Sequence, residues 1–518
     1  MPAQARRTAS STSRSRSSGT ALVRRSRTAR GIETFTTTYH TPPRQPPEPA
    51  KLTRSDPTFI VASHMAKPRR GDVLELAIDD LAFGGEGVAR VDGYVLFVRG
   101  GVPGDRVRVR ITETRARYGR GVIEGVQTPS PARVEPPCPY FGRCGGCRLQ
   151  HVAYEAQLGF KAKQVRDCLE RLGAAGAFEL RPILPAPAPY GYRNKMEFTV
   201  AGSAGAPVVG LHAADRYDVV LDIERCLLQS EAMNALLDEV RRQARARGLS
   251  VYDQDAAQGL LRFVTLREGR HTGDLMVNVV AAAPDVERLT PVADALRARV
   301  PATSSVVLTV NAKRAAVAVG TEEHVLLGRD HIVESLGGVA FQVSAGSFFQ
   351  TNTLQAERLF ALVAEACGLG GGETVVDLYS GTGAISLLLA RRCRRVYGIE
   401  MAAAAVADAV RNARENGIEN CTFLAGEVRH VLPALIRDGV RADVVVADPP
   451  RAGFHPRALA ALAALAPARI VYVSCNPATL ARDVGDLLPQ GYRLEWVQPV
   501  DMFPQTPHIE AVARLCRA

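Results

Sequence analysis

The 518-residue chain has no apolar run approaching the ~20 residues a helix needs to span a bilayer, so it reads as soluble, with no membrane partner. Its ten cysteines are too sparse for a disulfide scaffold, which points to a reducing, cytoplasmic setting. No internal repeat is visible, so the chain is not an array of one stacked unit. Residues 1–64 have few large apolar side chains and few acids. Ten Arg and one Lys stand there against Glu33, Glu48 and Asp56, a surplus of eight out of the chain's net +11. The remaining residues therefore carry only +3, and net charge alone is weak evidence for a nucleic-acid partner. Such a segment cannot build a core. It reads as a disordered basic tail or a mis-called extension, because Met65-Ala-Lys-Pro-Arg-Arg resembles a natural start; an RNA-binding tail or a transit peptide is the alternative.

What is present supports several domains, since 46% of the residues are hydrophobic. Residues 66–126 alternate apolar and polar in short runs broken by Gly and Pro, as in Asp72-Val-Leu-Glu-Leu-Ala-Ile and Asp105-Arg-Val-Arg-Val-Arg-Ile. That pattern predicts a small β-barrel of the oligonucleotide-binding type. Arg106, Arg108 and Arg110 share one face of a strand, where they either follow a phosphate backbone or are merely solvated. Residues 127–325 hold a cysteine-rich loop, a helix near 151–173 and a mixed α+β stretch.

From 326 to 518 strands and helices alternate regularly, which predicts a doubly wound parallel sheet. Asp377-Leu-Tyr-Ser-Gly381-Thr-Gly383-Ala leaves one of those strands and enters a helix, and Glu400 ends the next strand 19 residues after Gly381. A carboxylate at that distance suits the two hydroxyls of a ribose. The third glycine that a pyrophosphate needs is missing, so S-adenosylmethionine fits better than a dinucleotide. Glu427, after the following strand, is a weaker candidate for the adenine side, equally well a solvent-facing acid.

Two further motifs close strands. One is Val445-Val446-Ala447-Asp448-Pro449-Pro450-Arg451, and the other is Val473-Ser474-Cys475-Asn476-Pro477. C5 of uracil is too poor a nucleophile to attack a methyl sulfonium directly. A thiolate adding to C6 makes it an enolate carbon, and after methylation a base must remove the C5 proton. Cys475 fits the first role, against the plainer reading of a buried thiol. Glu510 and His508 compete for the second. Cys138-x5-Cys144-x2-Cys147 supplies three metal ligands on a Gly-rich turn, with Cys226 as candidate fourth; spacing does not separate zinc from a 4Fe-4S cluster. Tyr190-Gly-Tyr192-Arg193-Asn194-Lys195 mixes rings with cations, a combination that grips single-stranded bases; a strand edge with chance charges is the alternative.

Taken together, Phe348-Phe-Gln350-Thr-Asn352, Asp377-Leu-Tyr-Ser-Gly-Thr-Gly383, Asp448-Pro-Pro-Arg451, Ser474-Cys-Asn-Pro477 and Asp501-Met-Phe-Pro-Gln-Thr-Pro-His-Ile-Glu510 resemble the SAM-dependent RNA 5-methyluridine methyltransferases. The likeness, strongest to the 23S rRNA uracil-C5 type, spans roughly 66–518. It implies a Rossmann-like SAM-dependent methyltransferase domain at 326–518, preceded by a TRAM barrel at 66–126 and a cluster-bearing, RNA-binding α+β domain at 127–325. It implies Gln350, Tyr379, Glu400 and Asp448 at the cofactor, Cys475 as nucleophile, Glu510 as base, and a 4Fe-4S cluster on the cysteines. Ala384 departs from the Asn that ribosomal members often carry. The implied partner is RNA, with rRNA favoured over tRNA, and no obligate protein partner is inferred. Competing functions are a tRNA uridine C5-methyltransferase, an RNA cytosine-C5 methyltransferase and a non-catalytic RNA-binding protein.

Overall fold

The computed structural model describes residues 67–173 and 176–518, so the basic segment 1–64 lies outside the described residues. Residues 73–128 form a six-stranded sheet whose alternation buries Leu74, Leu76, Leu96, Val107, Val109 and Ile111 in a core of their own. Arg108 and Arg110 do point outward from the strand Arg106–Thr114, but both are paired with Glu124 of the neighbouring strand. Much of the charge on that face is thereby neutralised within the sheet.

The middle of the chain builds a seven-stranded sheet, from Arg216–Asp222 at one edge to Glu322–Gly328 at the other. The helices Glu231–Ala246 and Val286–Arg299 pack on it, with Leu236, Val240, Leu289 and Leu296 meeting Val264 and Val277. A hairpin, His331–Leu336 with Val339–Ser344, then leads to the helix Thr353–Cys367. Met276 and Val307 of the middle sheet share a core with Phe341 of that hairpin and Val375 beyond it.

The last sheet has eight strands. In spatial order they are Cys421–Ala425, Arg395–Glu400, Thr374–Leu378, Val444–Ala447, Arg469–Ser474, Glu510–Arg517, Tyr492–Val500 and Glu179–Leu180. The first five are parallel, each followed by a helix, as the alternation predicts. Thr374–Leu378 and Val444–Ala447 are buried throughout, as central strands covered on both faces must be. Beyond those five strands, Glu510–Arg517 runs antiparallel to both neighbours, because a loop rather than a crossover helix connects it to Tyr492–Val500. The helix Tyr154–Arg171 lays Val165 and Leu169 against Leu480 and Val484 of the helix Pro477–Leu487. Among the described residues no helix is long and apolar enough to cross a membrane.

Candidate active site

The strand order reverses between Thr374–Leu378 and Val444–Ala447, and ligands of open α/β sheets bind outside the carboxyl ends of the strands at such a point. Tyr379, Glu400, Asp448 and Cys475 end or directly follow four of the parallel strands, and Glu427 lies just past a fifth. Glu510 reaches the same edge from the other direction, as the first residue of the antiparallel strand. Gln350 comes in from the segment before the helix Thr353–Cys367. All seven line one cavity of about 1310 Å³.

The cofactor end is built from main-chain geometry. Gly383 caps its helix at φ 84°, a conformation open to glycine at little cost. Tyr379 also has a positive φ, 65°, which for a bulky residue costs about 1–3 kcal/mol and is held by packing of its ring on Phe454. The Glu400 carboxylate accepts hydrogen bonds from the amides of Gly381 (3.1 Å) and Ala402 (2.8 Å), which fixes its direction. Asp377 is fully buried. Its Oδ2 accepts from Ser386 Oγ at 2.6 Å while Oδ1, on the cavity lining, has no partner. A glycine turn, an aimed carboxylate and an orphaned buried oxygen fit a ligand carrying a ribose and an amine. Burial pushes Asp377 up to about 7, helped by Asp448 and Glu400.

At the other end, Cys475 sits immediately before Asn476, the N-cap of the helix Pro477–Leu487. Asn476 Oδ1 accepts from the Ala478 amide (3.1 Å) and its Nδ2 donates to the Arg451 carbonyl (3.1 Å), so one side chain joins the two motif loops. Ser474 pairs with Ala511 and Val500 with Glu510, so Cys475 and Glu510 both lie at the end of this strand pairing, and both line the cavity. Burial, then Glu510 and Asp448, push the Cys475 thiol up to about 11, with Arg451 opposing. Burial, then Asp448, hold the Glu510 carboxyl well above the usual carboxylate range, and burial lifts Asp448 to about 7. Glu510 lines the cavity; His508 is not among its walls, and burial and nearby cations push the imidazole down to about 4.

Among the described residues, no group of three or more His, Cys, Asp or Glu is arranged to hold a metal ion. Cys138, Cys144, Cys147 and Cys226 nevertheless line one cavity of about 200 Å³, although Cys226 lies far from the others in sequence. Burial pushes Cys147 up to about 12. Asn234 holds the Cys226 segment, accepting from its amide at 2.9 Å and donating to its carbonyl at 3.2 Å.

Within the Tyr190–Lys195 segment the base-gripping expectation is corrected at Tyr192 and Asn194. Tyr192 is buried and donates to the Pro504 carbonyl at 3.0 Å, so its ring is not available for stacking. Asn194, also buried, donates to the Gln350 carbonyl (2.9 Å) and Thr353 Oγ1 (2.8 Å), fixing the segment that presents Gln350. Sequence reasoning missed both supports, and Asn476 as well. A capping Asn just before Pro477 was the one signal in reach.

A sheet of this order, with an aimed acid and a glycine turn at the carboxyl ends of its parallel strands, has the architecture of a SAM-dependent methyltransferase. Residues 292–518 match the tRNA (Uracil-5-)-methyltransferase family and residues 67–123 the TRAM domain. An RNA methyltransferase of Halalkalibacterium halodurans, described as uncharacterized, is 41% identical over 455 residues, 88% of this chain and 99% of that protein. A counterpart from Gloeobacter violaceus is 43% identical over 451 residues, covering 87% and 97%. The crystal structure of Pyrococcus abyssi tRNA (uracil-54, C5)-methyltransferase in complex with S-adenosyl-L-homocysteine is 30% identical with a TM-score of 0.68, covering 85% of this chain and 99% of that one. The chain belongs to the tRNA (uracil-5-)-methyltransferase family: it is a SAM-dependent RNA uracil-5 methyltransferase with a TRAM domain.

Proposed function

We propose that the enzyme methylates C5 of a uridine in 23S rRNA, with Cys475 as nucleophile and Glu510 as base. The observation that carries this reading is the convergence of Cys475 and Glu510 on the wall of the cavity that also holds Gln350, Tyr379, Glu400, Glu427 and Asp448. Bound S-adenosylmethionine supplies an electrophilic methyl group; Glu400 orients its ribose, and Gln350, Tyr379, Glu427 and Asp448 wall its site. Arg451 and the N-terminus of the helix after Cys475 favour the thiolate. The Cys475 sulfur would bond to C6 as the C5–C6 π pair moves toward O4, and the nucleophilic C5 would then accept the methyl group as its bond to the sulfonium breaks and S-adenosylhomocysteine departs. The C5 proton then passes to Glu510, the C6–sulfur bond breaks and the C5–C6 double bond returns. A carboxylate whose pKa is raised is the stronger base for that last step.

The cysteine set is proposed to hold a 4Fe-4S cluster. Four thiols walling one cavity supply the four thiolates that such a cluster needs. The site would order the 127–325 region against RNA. A tRNA substrate is a second reading, favoured by the activity named for the Pyrococcus abyssi structure. Tritium release from rRNA and tRNA transcripts labelled at uridine C5 tests both. Release that needs SAM and disappears in Cys475→Ala supports the chemistry, and the responding transcript names the substrate. Absence of release from every transcript sinks it.

A further inference from the structure

The loop Phe503–His508 is surrounded by arginines from three distant parts of the chain. The Arg148 amide donates to the Gln505 carbonyl at 3.0 Å, and the Arg148 side chain reaches back to the Gly84 carbonyl at 3.2 Å. Arg193 follows Tyr192, whose hydroxyl is bonded to Pro504. Arg451 Nη2 lies 3.3 Å from His508 Nδ1. The loop itself is rigidly seated: Gln157, fully buried, exchanges hydrogen bonds with Gln505 at 3.0 and 3.1 Å, and Lys161 binds the Phe503 carbonyl at 3.2 Å.

None of Arg148, Arg193 and Arg451 has a carboxylate within 4.0 Å among the described residues. Other cations nearby are neutralised: Lys161 pairs with Asp501 at 2.6 Å, and Arg133 with Asp105. Of the three, Arg451 lies directly on the His508 ring, at 3.3 Å, and all three, with Lys161, push that imidazole below its usual range. Buried Arg193 Nε has no hydrogen-bond partner at all. Arg193 also lines the thiol cavity, whereas Arg148 and Arg451 have no anionic group of the described chain beside them, and cations so placed become favourable when a polyanion enters. Guanidinium groups prefer phosphate oxygens, which they bind with two parallel N–H donors. Arg451 also lines the cavity that holds Cys475, so the charged rim borders the place where a target base must enter.

We propose that Arg148, Arg193 and Arg451, set around the loop Phe503–His508, clamp the phosphodiester backbone of the single-stranded RNA segment that carries the target uridine. This rests on the uridine-methylating reading above, and it names the groups that hold the strand while its base is turned into the cavity. The ion-paired Arg108 of the barrel has no such role.

The test is filter binding of a single-stranded oligouridylate across a salt series, without cofactor, for the wild-type chain, Arg148→Gln, Arg193→Gln, the double variant and Arg108→Gln. Each clamp contact contributes about −0.7 to the slope of log affinity against log salt. Arg148→Gln and Arg193→Gln should each flatten the slope by ~0.7 and the double variant by about twice that, with Arg108→Gln unchanged. Affinity for S-adenosylmethionine should be retained throughout, since neither Arg148 nor Arg193 lines its cavity. Slopes unaltered in both single variants, or flattened equally by Arg108→Gln, overturn the clamp, as does salt-independent binding by the wild type. Failure of the methylation reading shows separately, as missing tritium release from a chain whose slopes behave as stated.

Discussion

Cys475 and Glu510 flank the last rung of an antiparallel strand pair: Ser474 pairs with Ala511, and the residues on either side of that rung both line the active cavity. After burial, Glu510 is the largest influence raising the pKa of Cys475. In the proposed mechanism one cavity wall serves two steps, with Glu510 as the group that removes the C5 proton and Cys475 as the sulfur that bonds to C6. Replacing Glu510 by Gln keeps the shape and removes the base. Turnover should fall by on the order of 10²–10⁴-fold, while a covalent protein–RNA adduct, visible as a band of low mobility on a denaturing gel, accumulates. A Glu510→Gln enzyme that turns over at nearly the wild-type rate removes Glu510 from the mechanism.

Adduct formation should be steeply pH-dependent. The Cys475 thiol, at about 11, is protonated at neutral pH, so the thiolate fraction grows about tenfold per unit as pH rises toward that value. Glu510, also raised, must lose its proton to act, which moves activity in the same direction. Arg451 lowers the Cys475 pKa, so Arg451→Gln should carry the rising limb to higher pH. Single-turnover rates at saturating RNA read this directly, separating it from the weaker RNA binding that the same substitution causes. A profile that stays flat from neutral into alkaline pH, or does not move in the variant, contradicts the assignment.

Lys161, with 1% of its surface exposed, meets the fully buried Asp501 at 2.6 Å and pins the start of the loop that ends at Glu510. Removing one partner strands the other charge out of water, a loss of ~3–5 kcal/mol. Lys161→Met should therefore lower the melting temperature markedly. Lys161→Met combined with Asp501→Asn should recover part of that loss, because no uncompensated charge remains. Equal melting temperatures for Lys161→Met and wild type would show that the pair contributes nothing.

The residues at the carboxyl ends of strands are legible in the sequence because buried parallel strands announce themselves as short apolar runs. The residue that closes such a run in a doubly wound sheet lies at the ligand edge. Tyr379, Glu400, Asp448 and Cys475 all fall under that rule, and Glu427 nearly so. The hidden parts depend on partners remote in sequence. Lys161 lies on an ordinary amphipathic helix, and its acid is 340 residues away. Arg108 and Arg110 look free until the strand bearing Glu124 is set beside them. Tyr192 and Asn194 read as nucleic-acid contacts because ring and amide serve equally well for stacking and for bracing a loop. Only burial separates the two uses.

The four cysteines pose the same problem of distance, and their prediction turns on the remote one. Cys226 enters the thiol cavity on a segment tied down by Asn234, which holds both its amide and its carbonyl. Cys168, by contrast, packs beside the core of the methyltransferase sheet. Anaerobic reconstitution with iron and sulfide should load about four iron atoms per chain. Cys226→Ala should lose the cluster's visible absorption, and Cys168→Ala should keep it. Because ligation requires deprotonated sulfur, and Cys147 stands at about 12 without metal, loading should release protons and slow as pH falls. One tightly held zinc ion per chain in place of iron would replace the cluster assignment with a tetrahedral site. Iron content unaffected by Cys226→Ala would remove that residue from the ligand set.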